Sequence, residues 1–390
     1  MKKKRAHGEI LKTVLIFMCA FLWVSAASAE ETARIVFIGD IMVHAEQLEA
    51  AKRPDSWDFT PQFHRIKPLL WNAFVVGNFE TVMAGEKARY TGYPMFNSPD
   101  SLAEALKDAG VDAVTLATNH ILDRREAGAA RTVSVLDEAG ILSVGLRNGS
   151  AGYEPLVAEY GGLKLAFLNY SYGSNTPERK VLSPDIRLNV ISSEAVLEGL
   201  RAARAVSPDL VIACFHWGNE YQFKPTASSR ATAELCLENG ADIVIGTHPH
   251  VLQPIEIFKT GESTKLVAWS LGNFVSNQRT LPRERSAILA VDLEKNGEST
   301  EIKRVSVAPV WVSARRNKSK RVFEVVYAGT GGRFNHYALP ASELKSARAA
   351  GKKVLDFLGA QDELDEDGFY TLWDAASPDV LPKGTLKSPK

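Results

Sequence analysis

The sequence predicts an α/β fold, and three observations predict it. Six short apolar runs, rich in β-branched residues, each end abruptly in a small or polar residue. Helical patterns alternate with several of these runs and stop at glycine. Two further segments read as glycine-turned hairpins, which add antiparallel strands to the parallel ones that alternation implies.

The runs are Ile35–Asp40, Phe74–Glu80, Ala113–His120, Leu210–His216, Ile243–His250 and Leu266–Asn273. Strands this short and apolar read as buried on both faces. Between them, Ser98-Pro99-Asp100-Ser101 starts a helix carrying Leu102, Leu106 and Ala109 that stops at Gly110. Arg124–Ala139, with Ala129, Val133 and Leu136 at helical spacing, stops at Gly140, and a strand follows at Ile141–Val144. Helices are expected again over Ser193–Ala205 and Ser228–Asn239. The hairpins are Leu156–Tyr160 with Leu163–Asn169, and Pro254–Phe258 with Leu266–Leu271. Ala287–Leu293 and Ile302–Ser313 read as strands that complete a domain spanning 34–313. A C-terminal extension over 314–390 carries a basic stretch, Arg315–Arg321, read as a solvated loop or a contact for an anionic polymer. An amphipathic helix over Ser342–Leu358 and a frayed tail over Pro382–Lys390 complete it.

The N-terminus has its own signature. Lys2, Lys3, Lys4 and Arg5 precede an apolar Thr13–Val24, and Ala27-Ser28-Ala29 forms an A-x-A cleavage site. The apolar run falls short of the roughly 20 residues of a spanning helix, so residues 1–29 are expected to be a signal peptide. The protein is then exported, to the periplasm, the cell surface or the medium. Cleavage removes five positive charges and one negative, so a formal charge of +0 becomes −4. That balance argues against a nucleic-acid partner. Cys214 and Cys236 remain, one in a buried strand and one in a helix core, and are expected as free thiols.

The polar residues at the strand ends carry the chemistry. Ligands of open α/β sheets sit beyond the carboxyl ends of the strands. Here those ends supply Asp40, Asn78, Glu80, Asn119, His216, His248 and His250, a mixture of carboxylate, amide and imidazole donors suited to one or two divalent ions such as Mn, Fe, Zn or Mg. His248 and His250 flank Pro249, whose fixed φ is expected to hold the pair extended with both rings at one locus. Tyr93, Tyr172, Trp217 and Tyr221 lie in neighbouring segments and are candidates to line the site.

Six motifs in order also carry a resemblance. They are Gly39-Asp40-Ile41-Met42, Asn78-Phe79-Glu80, Asn119-His120-Ile121-Leu122-Asp123, His216-Trp217-Gly218-Asn219-Glu220-Tyr221, His248-Pro249-His250-Val251 and Ser270-Leu271-Gly272-Asn273-Phe274. Over about Arg34–Gln278 the chain resembles the bacterial capsule synthesis protein CapA family, associated with poly-γ-glutamate capsule biosynthesis. That family is similar to calcineurin-like metallophosphoesterases, whose layered fold packs two mixed β-sheets between flanking helices. The resemblance implies metal ligation by Asp40, Asn78, Glu80, Asn119, His216, His248 and His250. It implies His120, next to Asp123, as the acid that protonates a leaving oxygen, and Trp217, Glu220, Tyr221 and Asn273 as substrate contacts. The partners implied are an anionic polymer such as poly-γ-glutamate and a membrane capsule-synthesis complex.

The chain departs from the metallophosphoesterase pattern in two ligand positions. Met42 stands where Asp-x-His places its histidine, with His44 two residues on, and Asn78 stands where an aspartate follows glycine. Two function classes follow: a metal-dependent hydrolase or transferase, and a non-catalytic accessory that holds the polymer during export.

Overall fold

The computed structural model describes residues 31–148, 152–176, 186–260, 263–317, 320–331, 339–361 and 364–377. The signal peptide and the frayed tail of the sequence reading lie outside them.

In chain order the elements are β1 (Glu31–Ile41), α1 (Ala45–Ala51), α2 (Thr60–Phe63), α3 (Lys67–Leu70), β2 (Phe74–Phe79), α4 (Ser101–Ala109), β3 (Ala113–Thr115), α5 (Arg125–Glu138), β4 (Leu142–Val144), β5 (Leu146–Asn148), β6 (Leu156–Tyr160), β7 (Leu163–Ser171), β8 (Ile186–Leu188), α6 (Ser193–Ala205), β9 (Leu210–His216), α7 (Ala227–Glu238), β10 (Ile243–Thr247), β11 (Ile255–Thr260), β12 (Ser263–Ala268), β13 (Asn273–Val275), β14 (Arg285–Asn296), β15 (Ser299–Asn317), β16 (Lys320–Tyr327), α8 (Ala341–Leu358) and β17 (Tyr370–Asp374). All four helices anticipated before residue 300 form within a residue or three of the expected bounds, and α4 ends where Gly110 adopts φ 104°. Both hairpins pair antiparallel, β6 with β7 and β11 with β12.

Two mixed sheets form the body. One has nine strands, in the order β16-β15-β14-β1-β2-β3-β4, with β13 paired to β1 and β17 to β15. The other has six, in the order β11-β12-β10-β9-β7-β6. Strand alternation explains why the runs are apolar throughout. In β9, Leu210, Ile212 and Cys214 belong to the core that the two sheets share, while Val211, Ala213 and Phe215 join Val196 and Leu200 of α6 and Cys236 of α7. β7, β10 and β12 divide in the same way. Both faces of these strands are covered, so their middle positions are apolar and polar side chains gather towards the strand ends. Each large side chain buried this way, such as Phe37, Phe167 or Phe215, contributes roughly 1.5–3 kcal/mol.

β15 runs without a break through residues 313 and 314, the expected domain boundary, and pairs with β16 and β17 while α8 packs across it. The sequence lost this because β15 crosses from an apolar stretch into charged residues. The described residues of the basic stretch lie in β15 and β16: Arg316 registers with Arg321, and Arg315 pairs with Glu324, which also takes Arg65.

Register sets the site. Asp40 of β1 lies opposite Asn78 of β2 and Asn273 of β13, and His216 of β9 lies opposite Thr247 of β10. Both parallel sets therefore deliver their carboxyl ends to one end of the sandwich.

Candidate metal centre at the strand ends

Each polar side chain of the cluster is placed by a backbone that could do little else. Asp40 follows Gly39, where a Cβ would overlap the Gly272 carbonyl oxygen, and the Asp40 N–H donates to that same oxygen at 3.0 Å. Only glycine lets β1 approach the turn before β13 this closely. Gly246 plays the same part for β10, since a Cβ there would run into the Trp269 carbonyl oxygen and the Trp217 indole nitrogen.

Asp40 then anchors both sheets. Its Oδ1 accepts from Asn78 Nδ2 at 2.9 Å, and its Oδ2 lies 3.1 Å from His250 Nδ1. That same His250 nitrogen is 3.0 Å from Asn273 Oδ1. His216 Nε2 is 3.0 Å from Asn119 Oδ1 and 3.6 Å from Glu80 Oε1, while its Nδ1 meets Thr247 Oγ1 at 3.1 Å. His250 Nε2 approaches Glu80 Oε1 to 3.7 Å. All seven residues expected as ligands are buried and converge in one locus.

The histidine pair converges by a different route from the one expected. His248 has φ 95° and His250 φ 59°, so both flank Pro249 in left-handed conformations and not in an extended one. Their ring centroids are 5.9 Å apart. Two non-glycine residues held this way cost of order 1–3 kcal/mol each, a strain that persists where surrounding structure over-determines it.

Two buried triads, Glu80/His216/His248 and Asp40/Glu80/His250, bring one ligand atom from each residue within 4.8 Å of the others, and Glu80 belongs to both. A third, Glu220/His248/His250, opens to solvent through Glu220. The cluster fits a divalent cation on its own evidence. Both Glu80 oxygens and His248 Nδ1 are buried without a hydrogen-bond partner among the described residues. Such groups are costly to leave unpaired, and imidazole with carboxylate is a donor set that transition metals and zinc accept.

Burial pushes the Glu80 carboxyl well above its ordinary value, with Asp40 adding to the shift. Burial alone would lower His250, but the Glu80 and Asp40 carboxylates outweigh it and lift its pKa to about 9. Burial and then the charge of neighbouring imidazoles hold His216 well below its ordinary value, and His248 at about 4. The Glu80–His250 pair thus holds a proton, while His216 and His248 stay neutral, the form in which imidazole ligates.

Beside the cluster, His120 Nδ1 lies 2.8 Å from Asp123 Oδ2, which also accepts from the Phe96 N–H at 2.7 Å. Its Nε2 faces Asn175 Nδ2 at 3.4 Å. The carboxylate fixes the ring, leaving the far nitrogen for proton exchange.

Residues 34–278 match the family described as bacterial capsule synthesis protein PGA_cap. The chain belongs to that family. Among curated relatives, this capsule synthesis family member is 28% identical over 318 residues to the capsule biosynthesis protein CapA of Bacillus anthracis, covering 76% of this chain and 74% of that protein. It is 28% identical over 333 residues to the PGA biosynthesis protein CapA of Bacillus subtilis (strain 168), covering 79% of this chain and 81% of that protein. Among solved structures it aligns with the calcineurin-like phosphoesterase YfkN from Bacillus subtilis at 15% identity and a TM-score of 0.44, over 84% of this chain and 99% of that one.

The substrate contacts expected of a capsule synthesis protein divide. Glu220 is exposed at the mouth, and the Tyr221 ring lies 6.0 Å from that of His250. Asn273 is fully buried and holds His250 instead of facing solvent. Trp217 turns away: it packs between Phe215 and Trp269 in the helix-side core and donates to the Trp269 carbonyl. A tryptophan directly after a ligand histidine points to the opposite face of the sheet, which the period of two foretells. Tyr172 does join the site, with its ring 4.8 Å from that of His248. Of the departures, Met42 is buried in the core, and His44 begins α1 with its Nδ1 accepting from the Asn277 N–H at 3.2 Å.

The sequence reading missed Thr115, whose hydroxyl donates to Asn78 Oδ1 at 2.9 Å, and Thr247. Both are the last residues of apolar strands. That was their one signal.

Proposed function

We propose that this protein is an exported member of the capsule-synthesis machinery that hydrolyses or transfers a phosphoester or a γ-glutamyl or envelope amide bond in an anionic cell-envelope polymer, with one or two divalent ions in the strand-end cluster. The observation that carries the reading is Glu80: a buried carboxylate, neither oxygen with a hydrogen-bond partner among the described residues, between the imidazoles of His216 and His250. Asp40, Glu80, Asn119, His216, His248 and His250 would hold the ions, which supply Lewis acidity at that point. Asp123 orients His120, whose Nε2, 3.4 Å from Asn175 Nδ2, would donate the proton to the leaving atom. Tyr172 and Tyr221 wall the mouth and limit water. The basic n-region, apolar stretch and A-x-A site support export.

A second reading, a non-catalytic subunit that grips the polymer, draws on Asn78. Its amide nitrogen donates to Asp40 and its oxygen accepts from Thr115, so it is tied into the scaffold where an aspartate would offer a free carboxylate.

Metal analysis of the purified mature protein, with a screen of phosphodiester and γ-glutamyl substrates before and after chelation, separates the two. Bound metal with chelator-sensitive turnover that His250→Ala abolishes supports the enzyme. Polymer binding that survives chelation, without turnover, supports the accessory.

A further inference from the structure

Beside His120 lies a cleft of about 560 Å³ between α1 and the chain segments that carry Trp57 and Tyr90–Met95. Trp57, Tyr90 and Tyr93 line it together with the polar groups of Glu49, Thr91 and Arg124. Its size falls within the range of small-molecule sites, roughly 300–1,000 Å³, as does an aromatic lining with few polar groups.

The cleft is built into the machinery of the proposed acid. Tyr93 lines it and is also 6.3 Å, ring to ring, from His120. The Asp123 oxygen that orients His120 also accepts the Phe96 N–H, and so pins the segment on which Tyr93 stands. From the other side Arg124 Nη2 donates to Thr91 Oγ1 and to the Met95 carbonyl. A moiety resting against Tyr93 would adjoin the bond whose leaving atom His120 protonates.

Charge and ring geometry narrow the occupant. The lining holds one cation, Arg124, already engaged with the loop, and one carboxylate, Glu49. A run of glutamyl carboxylates finds a single cation there, whose Nη2 already donates to the loop, and meets the like charge of Glu49. Trp57 and Tyr90 meet at 75° with centroids 5.4 Å apart, which leaves single ring faces and not the parallel slot that clamps a flat base. Single aromatic faces edged by a carboxylate and a hydroxyl suit a saturated ring, whose polarised C–H groups lie on the electron-rich face while its hydroxyls reach the polar edge.

We propose that this cleft is a subsite for a neutral sugar residue of the substrate, on the leaving-group side of the reacting bond. The assignment rests on the reading of His120 as proton donor, and it narrows the polymer to one that carries sugars.

Saturation-transfer NMR on the intact mature protein tests it, with glucose and N-acetylglucosamine tetramers and a γ-glutamyl tetramer as probes. A sugar tetramer should give transfer, and Trp57→Ala and Tyr93→Ala should each weaken its affinity by about tenfold, while Trp57→Phe, which keeps a ring face, retains it. Binding should persist in His250→Ala and after chelation, so loss of the metal reading leaves this one standing. No transfer from either sugar, transfer unchanged in Trp57→Ala, or transfer from the γ-glutamyl tetramer alone overturns the proposal.

Discussion

Glu80 Oε1 and His250 Nε2 lie 3.7 Å apart, both side chains buried, at the seam where the nine-stranded and six-stranded sheets meet. A carboxylate from the first sheet and an imidazole from the second thus form one electrostatic unit. Its proton makes it sensitive to pH. With His250 lifted to about 9 and Glu80 also raised, the metal-free protein binds protons here that the unfolded chain releases at lower pH. The contribution of His250 is fully present below the ordinary histidine value and is lost as pH rises through about 9. The metal-free protein should therefore lose thermal stability on going from about pH 6.5 to 9, which calorimetry on chelated protein measures.

Metal loading should run the other way. A cation entering the cluster displaces the proton shared by Glu80 and His250, so affinity should rise with pH up to about 9. Equilibrium dialysis with zinc or manganese across that interval checks the sign; affinity that falls with pH would sink the idea.

Asn273 touches His250 from behind, and removing it leaves the ligand itself in place. Asn273→Ala should weaken metal affinity by about 10–100-fold. The comparison is metal content at limiting concentration, with His250→Ala as the reference for full loss.

His120 and Asp123 stand outside the three metal triads. His120→Ala should keep the metal content of the parent and lower kcat by about 10²–10⁴-fold on any substrate that turns over. Asp123→Asn should shift the pH profile of the remaining activity, a change that a purely structural role would not produce.

Gly246→Ala puts a methyl group into the Trp269 carbonyl oxygen and the Trp217 indole. A cost of about 1–3 kcal/mol is expected in urea unfolding, with metal binding reduced in step because β10 carries the chain into His248.

Cys214 and Cys236 are both buried and free, and burial pushes each thiol up to about 12. Neither should react with a thiol reagent at neutral pH until the protein unfolds. Rapid modification of the native protein by Ellman's reagent would contradict this packing.

The cysteines show how far the residues speak for themselves. Their apolar neighbours alone placed them in a core, and the structure agrees. Seven ligand candidates were legible for the same reason: a polar side chain that ends a strand covered on both faces has nowhere to go but the strand-end crevice. Trp217 and Asn273 were misplaced because adjacency in sequence does not fix which side of a sheet a residue meets. The strand through residue 314 was hidden because β15, paired on both sides, leaves the covered core at residue 314 and continues in charged residues.

By itself, the sequence determined where the main apolar strands lie, four of the helices between them, and which side chains emerge at the carboxyl ends, because these depend on local periodicity and on glycine. The tertiary structure alone decided that the two sheets face each other with those ends together, that His248 and His250 turn inward through left-handed backbone, and that the Glu80 oxygens, among the described residues, sit beside His216 and His250 without a hydrogen bond. Those features depend on contacts between residues 38 to 210 positions apart, and only packing of one sheet on the other brings such distant groups within reach.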